Sequence, residues 1–395
     1  MNYPIYLDYN STTPCHPDVI EAMMPLFGTH YGNAASKSHP YGWIAENAVE
    51  KAREQVAYLI GANPKEIIFT SGATESINLA LKGIHEIFAS EKVHIISCKT
   101  EHKAVLDCLD SLMKKGVEIT FLDVDSQGKI DLNALKTSIR PETKMIALMW
   151  ANNETGLMHP ISEIAAIAEE RNIILFTDAV QVVGKIPVAV SGVHLMAISA
   201  HKMYGPKGVG ALYIRHNHPL FKPLAQIHGG GHEKGFRSGT LNVPGIVGMG
   251  KAAEVRFSKM EDESKRLRIL RDLLENKLLQ ISNTHLNGSQ FDRLSHVTNI
   301  AFAEVEGEEL LRKVCSKVAV SSGSACTSIS PKPSHVLQAM GLNSDLGRAS
   351  LRFSLGSQTT EKEILDTVDW VKKVVGELRG EFLMSDDRCR VTGVG

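Results

Sequence analysis

Long apolar runs are missing from this chain of 395 residues: no stretch approaches the roughly 18 uninterrupted apolar positions of a membrane span. The opening MNYPIYLDYNSTTP lacks a basic segment followed by an apolar one, so no secretory leader is expected either. A cytoplasmic protein with no membrane partner is the expectation. Cysteine is sparse, with six thiols (Cys15, Cys98, Cys108, Cys315, Cys326, Cys389) and no C-x-x-C, which argues against a disulfide framework or a zinc ribbon. Any cysteine of consequence acts alone. Charge of one sign is lacking too: 43 Lys+Arg against 44 Asp+Glu give −1, no field for holding a phosphate backbone, so no nucleic-acid partner is expected. With 43% hydrophobic residues and only 15 Pro, disorder as the main state is excluded.

What is present is an alternation of short β-branched or apolar runs with amphipathic stretches. EIIFT, VHIIS, VEITFLDV, KMIALMW and NIILFTD are separated by helix-like 74–88, 103–115 and 160–171, the rhythm of βαβ units and a mostly parallel sheet. Residues 195–199 and 209–214 read as further strands flanking Ala200-His-Lys-Met-Tyr-Gly-Pro-Lys-Gly208. Beyond Gly239, Leu267, Leu270, Leu274, Leu278 and Ile281 form one stripe in a long helix over 250–282. Strands at 297–303 and 350–354 and a helix over 360–379 suggest a smaller α+β domain. The expected division is 16–250 as a large domain, and 1–15 with 251–395 as the small one.

Several strand ends carry chemistry. Asp178 follows NIILF, where parallel sheets hold ligands, and a carboxylate there needs a cationic partner such as a pyridinium nitrogen. Phe69-Thr-Ser-Gly-Ala-Thr-Glu-Ser76 leads a strand into a helix, so Ala73 and Thr74 can offer N–H groups and a hydroxyl to an anion, although the same residues make an ordinary capped helix start. Neither a Walker pattern nor G-x-G-x-x-G occurs there. His102, after VHIIS, suits stacking, proton relay or a helix start. Asn152-Asn-Glu-Thr-Gly156 reads as a polar strand end or a tight turn. In the loop after residue 199, Lys202 is a candidate nucleophilic amine.

Taken with Asp178-Ala-x-Gln181 and Arg237-Ser-Gly-Thr240, these motifs resemble the fold-type I, class V pyridoxal 5′-phosphate enzymes, and among them the cysteine desulfurases of the IscS/NifS type. The resemblance covers about residues 3–380. It implies a Schiff base through Lys202, Asp178 on the pyridine nitrogen, Gln181 on the ring hydroxyl and His102 stacked on the ring. Ala73, Thr74, Ser199 and His201 would hold the phosphate, joined by Thr240 from the second subunit of a homodimer. Asn153 and Arg352 would bind the carboxylate of L-cysteine, a bidentate task suited to a guanidinium. Val320-Ser-Ser-Gly-Ser-Ala-Cys326-Thr-Ser328 is similar to the family's persulfide loop, and its small polar residues leave the Cys326 thiol without apolar cover. Lys202 would then take the Cα proton, and Cys326 would take the sulfur and pass it to an acceptor such as an iron–sulfur scaffold. A selenocysteine lyase or a class V aminotransferase is the alternative. Two departures stand out. Arg348 occupies a place where the family commonly has His, and no scaffold-docking extension is recognisable in 381–395.

Overall fold

The computed structural model describes residues 3–216, 222–322 and 333–381. Cys326, Cys389 and the tail from 382 therefore lie outside the described residues. Seven strands form the main sheet in the order Ile67–Thr70, Gly210–Ile214, Leu195–Ser199, Ile174–Asp178, Thr143–Ala147, His94–Cys98, Glu118–Leu122. Gly210–Ile214 runs antiparallel to both neighbours, and every other pairing is parallel.

Period-2 alternation puts one core on each face of this sheet. Phe69, Ile96, Ile146 and Leu175 join helices Pro40–Ile60 and Ile161–Glu170 on one side. Ile68, Ile95, Met145 and Phe176 meet Ala73–Ile87 and Lys103–Met113 on the other. Because both faces are covered, the strands read as continuous apolar runs rather than as alternating ones.

A third core gathers Leu7, Ile300, Phe302, Leu351, Phe353 and Val371 around the sheet Ser350–Ser354, Val297–Phe302, Thr284–Leu286. The helix Val243–Leu278 belongs to two of these cores: Val243, Ile246, Met249 and Ala253 pack on the large sheet, and Leu267, Leu270, Leu274 and Leu278 on the third core. It starts seven residues earlier than the expected 250, because Asn242 accepts from Gly245 N–H and Pro244 occupies the first turn. Its end at Leu278 leaves Ile281 beyond the helix, still packed against the third core. Among the described residues no helix is long and apolar enough to cross a membrane.

The N-terminal segment ties the two parts together. Ile5–Tyr6 pairs in parallel with Val318–Ala319, and Asp8 bridges Ser354. From there residues 9–13 run across the carboxyl ends of the large sheet, where Thr13 N–H donates to the His201 carbonyl (3.0 Å).

Candidate active site

The strand Ile174–Asp178 delivers Asp178 to the sheet edge, buried, with Oδ1 accepting from Val180 N–H (3.0 Å). Burial pushes its carboxyl up, and the charge of His102, the Val180 N–H and the charge of Lys202 pull it back. His102 is exposed and caps the helix Lys103–Met113, its Nδ1 accepting from Ala104 N–H (3.1 Å). The helix-start role and the position beside Asp178 are thus both real for this residue.

Lys202 lies in the short turn Ala200–Lys202 after the strand Leu195–Ser199. Its Nζ donates to the carbonyls of Asn10 (2.5 Å) and Ser11 (2.7 Å). His201 Nδ1 is 3.1 Å from Thr12 Oγ1, and burial, reinforced by the cations Lys202, Lys207 and Lys185, lowers that imidazole to about 4, so it is neutral near pH 7. Gln181 is buried and held at both ends: Nε2 donates to the Asn10 carbonyl (3.2 Å), and Oε1 accepts from Lys185 Nζ (2.8 Å).

At the helix start Ala73–Ile87, Gly72 has φ 154°, and a Cβ built on it would meet nothing within 4 Å. Facing it, Gly210 is obligatory, because a Cβ there would stand 2.5 Å from the Ile198 carbonyl oxygen and 2.7 Å from Gly72 Cα. The two backbones therefore touch without side chains, and the open side of Gly72 leaves room beside Ala73, Thr74 and Ser199 for a ligand group and N–H donors to meet it.

Arg352, on the strand Ser350–Ser354, is buried, and its Nη2 donates to Asp8 Oδ1 (2.6 Å) and Ser11 Oγ (2.8 Å). Nη1 donates to the carbonyl of the half-buried Asn153 (3.1 Å), and Nε is buried with no protein partner. The neighbouring Glu154 is fully buried, and burial pushes its carboxyl up to about 7, eased by the Ser334 hydroxyl (2.5 Å) and the Arg352 charge.

The structure thus gathers Gln181, His201, Lys202, Asn153 and Arg352 around residues 10–12, with Asp178 and His102 beside Lys202. Thr240 takes no part in these contacts; it is exposed on the stretch between Gly235 and Val243, which the buried Glu233 anchors through Arg53 (2.7 and 2.8 Å) and Phe69 N–H (2.7 Å). Arg348 pairs with Asp345 (2.5 Å) on its own short helix, Ser344–Arg348. Sequence reasoning missed Asp8, Asn10, Ser11, Thr12 and Lys185. For the first four the only signal was a dense polar run, Asp8-Tyr-Asn-Ser-Thr-Thr13, directly after an apolar strand, and Lys185 had none. Of the other cysteines, Cys98 and Cys108 are buried, which pushes both thiols up to about 11 and keeps them unreactive.

The family model for aminotransferase class-V matches residues 5–366. The chain is similar to the cysteine desulfurase IscS of Anaeromyxobacter dehalogenans, with 53% identity over 95% of this chain and 93% of that one. It is also similar to the enzyme of the same name from Salmonella arizonae, with 50% identity over 96% and 94%. Among solved structures, a NifS-like protein superposes with a TM-score of 0.89 at 35% identity, covering 95% of this chain and all of that one. SspA, solved in complex with cysteine, superposes with a TM-score of 0.79 at 36% identity over 89% and 98%. Matched along most of its length and by relatives at about half identity, the chain belongs to the aminotransferase class-V family, on its cysteine desulfurase branch.

Proposed function

We propose that this chain is an L-cysteine desulfurase that works with pyridoxal 5′-phosphate and receives the sulfur on Cys326 as a persulfide. One observation carries the reading: Ser11 joins Lys202 to Arg352, its carbonyl accepting from the amine (2.7 Å) and its hydroxyl from the guanidinium (2.8 Å). An amine and a carboxylate receptor set one residue apart match a small α-amino acid, whose reacting Cα and carboxylate are adjacent atoms.

The residues fit the cofactor. Asp178 is a buried carboxylate suited to a pyridinium N–H, and the open side of Gly72 leaves room for a phosphate beside Ala73, Thr74, Ser199 and the neutral His201. Gln181 presents an N–H for the ring hydroxyl, and His102 covers the ring. Bound there, pyridoxal phosphate supplies an electron sink for the carbanion at Cα.

The chain's own groups do the rest. Arg352, with its orphan Nε, and Asn153 orient the substrate carboxylate, which fixes the Cα–H bond relative to Lys202. Lys202 Nζ takes that proton and later returns one to the product. The Cys326 thiolate attacks the substrate sulfur: an S–S bond forms, the C–S bond breaks, and its electron pair stays with the carbon that leaves as alanine. In the sequence Cys326 follows, by five residues, Ser321, which bridges Arg352.

The same reading includes a homodimer in which Thr240 completes the neighbour's phosphate site, a division into domains 16–250 and 1–15 with 251–395, a cytoplasmic setting and a sulfur acceptor serving iron–sulfur assembly. The test is product stoichiometry. With L-cysteine and a thiol reductant, sulfide and alanine should appear in equal amounts. Without reductant, the Cys326 peptide should gain about 32 Da, one sulfur atom. Transfer of the amino group to a keto acid, with no mass gain, would overturn the proposal in favour of an aminotransferase.

A further inference from the structure

Asn10 is 1% exposed and sits where five segments of the chain meet. Its backbone carbonyl accepts from Lys202 Nζ (2.5 Å) and Gln181 Nε2 (3.2 Å), and its N–H donates to Ser354 Oγ (2.9 Å). Its side chain is held at both ends: Nδ2 donates to the Asn153 carbonyl (3.0 Å), and Oδ1 lies 2.9 Å from His296 Nε2. An amide oxygen has no proton to give, so His296 donates from Nε2. Burial, joined by the charges of Lys185, Arg256, Arg271 and Arg352, holds His296 well below its ordinary value and neutral, which leaves that single donor orientation in place. Gln181 is oriented from its far end, because Lys185 occupies its only oxygen and leaves N–H groups for Asn10 and for a ligand.

We propose that Asn10 is a positioning residue for Lys202: braced between Asn153 and His296, its carbonyl holds the amine where that amine captures an aldehyde-bearing ligand. The inference rests on the reading of Lys202 as the cofactor anchor. A lysine side chain has four rotatable bonds, and an unbraced amine must find the reactive orientation by search. In the capture itself the amine nitrogen adds to the aldehyde carbon, and the carbonyl oxygen leaves as water with the two protons the nitrogen gives up. No electrons are exchanged with a third party.

The experiment compares two ligands on the full chain freed of cofactor. Pyridoxal 5′-phosphate can be captured by Lys202, whereas pyridoxamine 5′-phosphate carries an amine in place of the aldehyde and cannot. In Asn10→Ala the rate at which the visible band of captured pyridoxal phosphate appears should fall about tenfold or more, while the affinity for pyridoxamine phosphate moves by less than about twofold. An unchanged capture rate, or equal losses for both ligands, would overturn the proposal. Should Asn10→Ala fail to fold, Asn10→Asp keeps the shape but replaces the N–H offered to Asn153 with a carboxylate oxygen that faces the same carbonyl. It should slow capture about threefold, and an unchanged rate in that variant would equally overturn the proposal. A parent protein that captures no pyridoxal phosphate would remove the Lys202 reading and this inference together. Normal capture by parent and variants alike would remove only the brace.

Discussion

The large sheet and the segment Asp8–Thr13 supply the same candidate site by different means. Asp178 and Ser199 end strands, Lys202 follows Ser199 by three residues, and His102 and Ala73 begin helices just after strands, so the fold itself places them. Residues 8–13 have no regular structure to hold them. Asp8 meets Arg352 across 344 positions of chain, Ser11 meets Arg352 across 341, and Asn10 meets Lys202 across 192. Groups of the first kind withstand damage elsewhere, and groups of the second kind depend on both parts of the molecule being in register. Chemistry should therefore fail completely when a sheet-borne group is lost, and substrate placement should weaken by degrees when the strap is disturbed.

The largest effect belongs to Lys202→Ala: turnover should fall by about ten-thousandfold or more, with the visible band lost and the circular dichroism unchanged. Borohydride reduction and peptide mapping of the parent should label Lys202, and label on Lys207 would break the assignment. Cys326→Ser should cut sulfide release by about a hundredfold or more, since a hydroxyl is a far weaker nucleophile, yet keep the band. Unchanged sulfide release by that variant would point to a lyase with no protein nucleophile. Arg352→Lys separates the two regions: KM for L-cysteine should rise about 10- to 100-fold while the band stays, because an ammonium cannot serve Asp8, Ser11, Asn153 and a carboxylate together. A fall in kcat alone would put Arg352 among the reacting groups instead.

The last effect is one of stability rather than of turnover. Burial lifts the Glu154 carboxyl from about 4.5 to about 7, so the folded state holds this proton more tightly than the unfolded chain does. Its contribution is present below the unfolded value and is lost as pH rises through the window between the two, by about 3 kcal/mol in all. Urea unfolding of Glu154→Gln at pH 5 and pH 8 should show that loss removed. An identical pH slope in parent and variant would mean that the carboxylate is compensated elsewhere.

The sheet was legible because strands buried on both faces read as apolar runs, and its polar strand ends because Asp178 and Ser199 close such runs. Arg352 was legible only through resemblance, since nothing around Leu351-Arg-Phe353 announces a cleft. Asp8, Asn10 and Ser11 were illegible for a physical reason. Their partners are set by contacts hundreds of residues away, and a polar run with no period carries no trace of them. The long helix was placed late because its first turns, Val243–Gly250, are rich in glycine and poor in the charged face that marks the rest. Thr240 gave no local sign of its exposure.

The pairing of Ile5–Tyr6 with Val318–Ala319, and of Asp8 with Ser354, bears on how the protein is made. The ribosome delivers the strap first and its partners last, and at roughly 5–20 residues per second Asp8 waits on the order of 20–70 seconds for Ser354 to follow. Throughout that interval the sheet can fold and Lys202 can emerge, but the carbonyls of Asn10 and Ser11 have no fixed place from which to hold it. Until Ser350–Ser354 has been made, Lys202 lacks the fixed carbonyls that the proposal above assigns to its rapid capture of an aldehyde.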